Sequence, residues 1–213
     1  MSSKECIIID YGIGNIYSVR EALKRIGVSA IVESDPNVIR KADRLILPGV
    51  GAFGKAISRI RERYLDLAVK EFVQTGKPLL GICVGMQLLL SNGSEFGCHK
   101  GLGYIEGSVD KIIFENTNQK VRVPIIGWQN IIAANKHIWN KSLLQTIPEM
   151  NSFYFVHGYS AKVTNENNVV SFYKVKDQKI TAAIQKDNVF GVQFHPERSS
   201  RFGSMLLENF ILS

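Results

Sequence analysis

The first candidate for chemistry is Cys83, which lies in the segment Gly81-Ile82-Cys83-Val84-Gly85 between an apolar run and a helical pattern. A nucleophile with glycines two residues away on each side is typical of a strand–turn–helix elbow, because glycine permits the sharp turn and close neighbouring backbone. Such a turn exposes the side chain at the sheet edge. The free N–H groups of the following helix favour a thiolate and stabilise an oxyanion. The competing interpretation is a buried structural cysteine at a glycine-rich strand end.

A cysteine nucleophile needs a general base, and His195 is the best candidate. It follows an apolar run in the segment Gly191-Val192-Gln193-Phe194-His195-Pro196-Glu197. Glu197 is two positions further on, where its carboxylate could orient the imidazole and stabilise an imidazolium, as in Ser-His-Asp triads. The alternative is a capping histidine beside a solvated glutamate. The His-x-Glu pattern of zinc deaminases is excluded because no cysteine follows residue 98.

Two glycine-rich segments are candidates for anion binding. The loop Leu47–Gly54 (LPGVGAFG) follows an apolar run, so it could present backbone N–H groups to an anion, but it lacks the Gly-x-x-x-x-Gly-Lys-Ser/Thr pattern of phosphate loops. The segment Asp10–Asn15 (DYGIGN) would need a third small residue at position 17 to bind a dinucleotide, and that position is Tyr17. We therefore expect no cofactor and no metal.

In the first half of the chain, predicted strands alternate with predicted helices, and these elements must position the candidate residues. Strands are predicted at Cys6–Asp10, Ser29–Glu33, Arg44–Leu47 and Pro78–Cys83. Helices are predicted at Asn15–Ile26, after Asp35-Pro36, at Phe53–Arg61, at Tyr64–Thr75 and after Val84 through Leu90. This order predicts a parallel sheet flanked by helices, with Asp10, Leu47 and Cys83 gathered at the carboxyl edge where ligands bind.

The second half predicts antiparallel strands. Segments of strand composition lie near Ser108–Phe114, Val121–Ile132, Ser152–Val163, Val169–Val175, Ile180–Gln185 and Val189–Phe194. The polar turns Asn165–Asn168 and Lys176–Lys179 indicate hairpins, and Gly203–Leu212 has a helical pattern. We predict a single α/β domain over residues 1–213, with a central mostly parallel sheet flanked by helices and additional antiparallel strands in the C-terminal half.

Composition excludes several classes of protein. The chain has 213 residues, of which 45% are hydrophobic, and no run of 18 apolar residues that would cross a membrane. Its N-terminus lacks the apolar stretch and cleavage site of a signal peptide, so we expect a cytoplasmic protein. The odd number of three cysteines argues against a disulfide framework, and the absence of a C-x-x-C pair argues against a structural zinc site. The net charge of +7 comes from scattered basic residues, so nucleic-acid binding is not expected.

Taken together, these segments resemble the class I glutamine amidotransferases. Within them, the chain resembles the glutaminase subunits of imidazole glycerol phosphate synthases, through the ordered motifs IDYGIGNIYSV, PGVGAF, GICVGMQLLL, SEFG, KGLG, FYFVH and GVQFHPE. The resemblance extends from about residue 7 to residue 210. It implies the class I glutamine amidotransferase fold, no cofactor, L-glutamine as substrate and hydrolysis to glutamate and ammonia.

The resemblance also implies a role for individual residues. It makes Cys83, His195 and Glu197 the catalytic triad, and it makes the backbone N–H groups of Gly51 and Val84 the oxyanion hole. The residues implied to bind glutamine are Gly49, Gln87, Glu95, His157, Gly158 and Tyr159, the last three through a strand whose backbone holds the substrate carboxylate. The residues implied to face a partner are Asn15, Ser18, Trp128, Tyr154 and Arg198.

The implied partner is a (β/α)₈-barrel cyclase subunit that forms a heterodimer with this chain and consumes the ammonia in histidine biosynthesis. The chain departs from the usual motifs of these glutaminase subunits at four positions. Ile125 and Gln129 replace the histidine and asparagine of VPHMGWN, Arg198 replaces the lysine of HPEKS, and Gly158 stands where Ser, Thr or Asn is common. These departures lie toward the partner. They leave open the alternative that this chain is a paralogous glutaminase that supplies ammonia to an amidino-sugar pathway. A third alternative, a non-catalytic relative that only binds a partner, is disfavoured because it would not need an intact triad.

Overall fold

The computed structural model describes residues 5–114 and 121–213. In chain order, strands β1 to β14 are Cys6–Ile9, Ala30–Glu33, Arg44–Leu47, Leu79–Ile82, Leu90–Gly93, His99–Lys100, Ile105–Lys111, Ile125–Asn130, Ile132–Ala133, Ser152–His157, Tyr159–Val163, Val169–Val175, Gln178–Lys186 and Val189–Val192. Helices α1 to α7 are Ile16–Arg25, Pro36–Ile39, Phe53–Glu62, Leu65–Gln74, Val84–Leu88, Lys136–Trp139 and Ser200–Leu212. Single 3₁₀ turns cover Glu166–Asn168 and Pro196–Arg198.

The central sheet has eight strands in the order β2-β1-β3-β4-β14-β13-β12-β9. The five strands from β2 to β14 pair in parallel, and β14-β13-β12-β9 pair antiparallel. β1, β3 and β4 are fully buried and, apart from Arg44 at the start of β3, carry no polar side chain, as expected for parallel strands covered by helices on both faces. This arrangement confirms the predicted α/β class with a mostly parallel sheet and antiparallel strands in the C-terminal half.

Two smaller sheets complete the fold, and neither was predicted. One pairs β10 with β8, and the other has the order β11-β7-β5-β6. The predicted strand Ser152–Val163 is split at Gly158, where the chain leaves β8 and continues beside β7. The turn at Asn165–Asn168 therefore joins strands of two different sheets and is not a hairpin, whereas the turn after Val175 is the predicted hairpin between β12 and β13.

The helices bury the apolar faces that their sequence patterns predict. α1 buries Val19, Ala22 and Leu23, and α4 buries a stripe that includes Leu65, Val69 and Phe72, at the spacing of one helix face. The helix after Cys83 is shorter than predicted, because it ends at Leu88 and Leu90 begins β5. Its apolar run is buried on all sides, so hydrophobicity alone did not mark the boundary.

None of the helices in the described ranges is long and apolar enough to cross a membrane.

Candidate active site

Cys83 lies on the turn between β4 and α5 in a strained backbone conformation, with φ 55° and ψ −111°. A Cβ at Gly81 would lie 2.7 Å from the carbonyl oxygen of Gly85, and a Cβ at Gly85 would overlap the carbonyl oxygen of Leu47. Both glycines are therefore required by close backbone contacts. A non-glycine residue in such a conformation costs about 1–3 kcal/mol, which is typical of functional sites. The structure has the strand–turn–helix elbow that the sequence predicts.

His195 reaches the elbow from the neighbouring strand. β14 pairs in parallel with β4, and the Cys83 N–H donates to the carbonyl of Val192 at 2.8 Å. The chain bends at Gln193 and Phe194 before His195, whose backbone is extended and whose N–H donates to the carbonyl of Tyr154 at 2.9 Å. Nδ1 of His195 lies 2.8 Å from Oε1 of Glu197. The order along this edge is therefore thiol, imidazole and carboxylate.

The protonation of His195 is set by those two partners. Burial disfavours the imidazolium, but hydrogen bonds to Cys83 and Glu197 and the negative charge of both groups raise the pKa of His195 to about 10. Because Nδ1 faces Glu197, the other ring nitrogen, Nε2, is the one available to Cys83. The geometry favours a charged imidazole between a carboxylate and a thiol sulfur.

A cavity of about 480 Å³ opens over the thiol. Its walls contain most of the predicted site residues, namely Cys83, His195, Gly51, Val84, Gln87, Glu95, His157, Gly158, Tyr159, Asn15 and Arg198. They also contain three residues that were not predicted, Gly14, Val50 and Val156. Glu197 lies behind His195, with its carboxylate side chain 1% exposed. The volume lies in the range of sites that bind small molecules.

Two predicted glutamine ligands already have protein partners. Nε2 of Gln87 donates to the carbonyl of Tyr159 at 3.3 Å and to Oε1 of Gln193 at 3.0 Å. Oε2 of Glu95 accepts from the N–H of Phe53 at 2.8 Å, at the start of α3. These bonds hold both side chains at the cavity wall.

His157 has a different environment from His195. Its Nδ1 lies 2.7 Å from the carbonyl of Tyr159, and its Nε2 lies 2.8 Å from the hydroxyl of Tyr173. Burial, opposed by the hydrogen bond to the Tyr159 carbonyl and assisted by the charge of His195, lowers the pKa of His157 to about 4. His157 is therefore neutral: Nδ1–H donates to the carbonyl, and Nε2 accepts from the tyrosine hydroxyl.

Gly49 is the exception among the predicted glutamine ligands, because it does not line the cavity. A Cβ at this position would lie 2.5 Å from the backbone nitrogen of Gly85 and 2.8 Å from Cβ of Val84. Close packing of the loop against the elbow thus requires glycine here.

The predicted partner-facing residues form an aromatic rim beside the cavity. The rings of Trp128 and Tyr154 meet edge-on with centroids 5.9 Å apart, and the guanidinium of Arg198 lies 5.1 Å above the Tyr154 ring. Trp128 is half exposed. Asn15 lines the cavity and Ser18 lies three residues further on, in α1. Trp128 and Tyr154 do not line the cavity itself.

Within the described ranges, no group of three or more His, Cys, Asp or Glu side chains is arranged to hold a metal ion. Two side chains that sequence reasoning missed are Gln193 and Tyr173, each of which bonds a residue at the cavity. Tyr173 lies in β12 and Gln193 directly follows β14, and the apolar character of both segments obscured the polar roles of these side chains.

Comparison with known proteins gives a consistent picture. Residues 7–213 match the family model of class-I glutamine amidotransferases. The chain is 42% identical over 205 residues to the imidazole glycerol phosphate synthase subunit HisH of Sulfurimonas denitrificans, covering 95% of both chains. It is also 42% identical to the imidazole glycerol phosphate synthase subunit HisH 2 of Methanococcus maripaludis, covering 96% of this chain and 97% of that protein.

Solved structures share the fold at lower identity. A crystal structure of a glutamine amidotransferase aligns with TM-score 0.73 and 19% identity over 97% of both chains. The structure of PurLQS from Thermotoga maritima aligns with TM-score 0.71 and 21% identity over 99% of this chain and 98% of that one. These likenesses support the fold alone.

Proposed function

Since this chain belongs to the class-I glutamine amidotransferase family, we propose that it is the glutaminase subunit of an imidazole glycerol phosphate synthase. The observation that carries the proposal is the strained Cys83 at the end of β4, with the buried His195–Glu197 pair brought beside it by the adjacent parallel strand β14. The similarity to HisH proteins over nearly the whole chain supports the assignment to this synthase.

The first half of the reaction forms a thioester. The Cys83 sulfur attacks the side-chain amide carbon of L-glutamine and forms a C–S bond, and the carbonyl oxygen becomes an oxyanion. The N–H groups of Gly51 and Val84 are the proposed donors to that oxyanion. Removing one such donor typically costs about 3–4 kcal/mol of transition-state stabilisation. His195 then gives its proton to the departing nitrogen, which leaves as ammonia.

The second half hydrolyses the thioester. Neutral His195 takes a proton from a water molecule as the water oxygen attacks the thioester carbon. The C–S bond breaks, glutamate is released, and the sulfur and imidazole return to their starting states. Glu197 holds the imidazole in one tautomer and stabilises its charged form throughout, through the bond at Nδ1.

The substrate is held by groups on the cavity walls. We assign the amino-acid end of glutamine to Gln87 and Glu95, and its carboxylate to the backbone of His157, Gly158 and Tyr159. Glu95 brings a negative charge to a cavity that must receive an ammonium group, while Gly158 leaves the backbone of that strand without a side chain. Gly49 shapes the loop and has no direct contact in this assignment.

The partner is a cyclase subunit, which we propose to be a (β/α)₈ barrel docked on the rim formed by Trp128, Tyr154 and Arg198, with Asn15 and Ser18 beside it. A docked partner would cover the cavity and carry ammonia away from bulk water, where the ammonia would be protonated. The cyclase would use the ammonia to form imidazole glycerol phosphate and aminoimidazole carboxamide ribotide. We place this work in the cytoplasm, with residues 1–213 acting as one glutaminase domain.

The catalytic assignment is tested by glutamate release from glutamine in the presence of the cyclase subunit. We expect wild-type protein to release glutamate and a Cys83→Ala variant to show no release above buffer. Release by the Cys83→Ala variant at the wild-type rate would overturn the assignment.

The pathway is tested by growth of a bacterial strain that lacks its own HisH, on medium without histidine but with ammonia kept low. Rescue by the wild-type gene, and no rescue by the Cys83→Ala gene, is the expected result. Active glutaminase without rescue, when the matching cyclase gene is supplied as well, would exclude the histidine pathway and favour the amidino-sugar alternative.

A further inference from the structure

Gln193 is a fully buried amide beside the nucleophile. Its side chain is 0% exposed, and its Nε2 lies 3.7 Å from the sulfur of Cys83. A distance of this length is ordinary for an N–H donor to sulfur, which is larger than oxygen. The Cys83 sulfur also lies 4.0 Å from the carbonyl oxygen of Val156, an acceptor that would repel a thiolate.

Gln193 and His195 both reach the sulfur from the segment that directly follows β14. The chain bends at Gln193 and Phe194, and the side chains of Gln193 and His195 both hydrogen-bond with the Cys83 thiol. Phe194 packs against Phe153, with ring centroids 4.2 Å apart. The backbone N–H of Gln193 donates to the carbonyl of Ala182 at 2.8 Å, which fixes this end of β14. One strand end therefore brings both the imidazole of His195 and the amide of Gln193 to the thiol.

The orientation of the Gln193 amide follows from its neighbours. The carbonyl of Tyr159 can only accept a hydrogen bond, so Gln87 must present its NH₂ group to it. The same NH₂ group lies 3.0 Å from Gln193, which must therefore present its oxygen to Gln87. Once the oxygen of Gln193 faces Gln87, its NH₂ group faces the sulfur. A backbone carbonyl thus sets the direction of the whole chain of bonds.

We propose that Gln193 is a further catalytic residue, whose side-chain N–H donates to the Cys83 sulfur and stabilises negative charge on it. This inference rests on the proposed function, because it assigns a role in the same reaction. The sulfur carries charge at two moments, before it attacks the glutamine amide and when it leaves the second tetrahedral intermediate. A donor held in place by Gln87 serves both steps without reorganising.

The alternative is a structural role in which Gln193 only satisfies the second N–H of Gln87. The two roles differ in what they predict for the thiol itself. A donor to sulfur changes the reactivity of Cys83 in the absence of glutamine, whereas a partner for Gln87 changes only how glutamine binds.

The test is alkylation of Cys83 by iodoacetamide, followed across pH with the full chain in complex with the cyclase. It uses a Cys98→Ser background, because Cys98 is an exposed free thiol and Cys6 is buried. In Gln193→Met, which keeps the side-chain volume but has no N–H donor, we expect the alkylation rate at pH 7 to fall about tenfold. We also expect kcat for glutamine to fall by about the same factor with little change in KM.

The matched control is Gln185→Met, the same substitution in the adjacent strand β13, which should keep the wild-type alkylation profile. Wild-type alkylation and kcat in a folded Gln193→Met variant would overturn the proposal. If that variant does not fold, Gln193→Glu keeps the acceptor for Gln87 but places an oxygen against the sulfur. The same fall in rate is then expected, and a wild-type rate would overturn the proposal.

These results are separable from the proposed function. Alkylation reports on the contact between Gln193 and the sulfur whether or not glutamine is hydrolysed. If wild-type protein hydrolyses glutamine and Cys83→Ala does not, unchanged Gln193→Met kinetics and alkylation remove only the role of Gln193. If wild-type protein with its cyclase hydrolyses no glutamine, the proposed function fails while the alkylation result still stands.

Discussion

His157 at the end of β10 and His195 beyond the end of β14 are buried histidines that line the same cavity, but His157 is neutral and His195 is positively charged. Each is 6% exposed, so residual exposure does not distinguish them. His195 lies between a carboxylate and a thiol, and its pKa is raised to about 10. His157 lies between a tyrosine hydroxyl and a backbone carbonyl, and its pKa is lowered to about 4.

The difference shows that hydrogen-bond partners, more than burial, decide which histidine can act as a base. Burial disfavours the imidazolium at both positions. At His195 two groups that can be anionic overcome that penalty, so a proton is held where the leaving ammonia needs it. At His157 the neutral partners leave the penalty in force. The imidazole is then a fixed donor and acceptor that joins Tyr159 to Tyr173, beside the segment to which we assign the glutamine carboxylate.

The largest test of this contrast replaces each histidine by asparagine. We expect His195→Asn to lower kcat for glutaminase by about 10⁴-fold, because the general acid and base is lost. We expect His157→Asn to change kcat by less than about tenfold and to act mainly on KM, because it moves the segment that we propose to hold glutamine. Steady-state kinetics with the cyclase present make the measurement. Equal losses of kcat in the two folded variants would contradict the distinction between a catalytic His195 and a structural His157.

The next test removes the charge beside His195 and keeps its shape. In Glu197→Gln the imidazolium loses its carboxylate, so we expect kcat to fall about 10²–10⁴-fold and the titration of His195 to move from about 10 toward its ordinary value of 6.5. Nitrogen NMR of the labelled imidazoles measures that titration. Glu62→Gln, on the exposed face of α3, is the control and should keep wild-type kinetics. An unmoved titration in Glu197→Gln would show that Glu197 does not set the charge.

These two regions also differ in how far the sequence could predict them. The Cys83 elbow and the His195–Glu197 pair depend on local patterns, namely glycines two residues from a nucleophile and a carboxylate two residues from a histidine. Their geometry follows from backbone constraints that short motifs encode. Gly49 shows the limit, because the same loop motif does not say which glycine meets substrate and which packs against Gly85.

The surroundings of His157 could not be predicted, because they depend on contacts between distant strands. Tyr173 is 16 residues away, in a strand of the central sheet, and the split at Gly158 that separates β10 from β11 is not marked by any change in strand composition. The hydrogen-bond partners of the Gln193 amide could not be predicted for the same reason. Gln193 lies in a bend just after β14, and its partner Gln87 is 106 residues earlier.

A smaller effect is expected in the stability of the protein in acid. The folded-state pKa of His157 is depressed to about 4, so between pH 6.5 and pH 4 the unfolded chain binds a proton that the folded chain refuses. Its stabilising contribution is complete above pH 6.5 and is lost as the pH falls toward 4, by up to about 3 kcal/mol. His195, with a raised pKa, is protonated in both states near pH 5 and adds little slope there.

Urea unfolding at several pH values measures this slope. His157→Asn should flatten the decline in unfolding free energy between pH 6.5 and pH 4, whereas His137→Asn, an exposed control in α6, should leave it unchanged. If His157→Asn kept the full wild-type decline, a group other than His157 would have to cause it.

The smallest expected effect comes from the partner of His157. Tyr173→Phe removes the hydroxyl that donates to Nε2, so a buried acceptor is left unpaired, at a cost of about 1–2 kcal/mol in unfolding free energy at pH 7. The hydroxyl stabilises the neutral imidazole in particular, so its loss makes protonation of His157 less unfavourable. The variant should therefore be destabilised more at pH 7 than at pH 4.5, while kcat stays within about twofold because His195 is untouched. Tyr64→Phe, at an exposed position before α4, should change neither quantity. Equal destabilisation of Tyr173→Phe at both pH values would mean that the hydroxyl supports packing and does not favour the neutral state of His157. The contrast between the two histidines would then rest on burial and on the charge of His195.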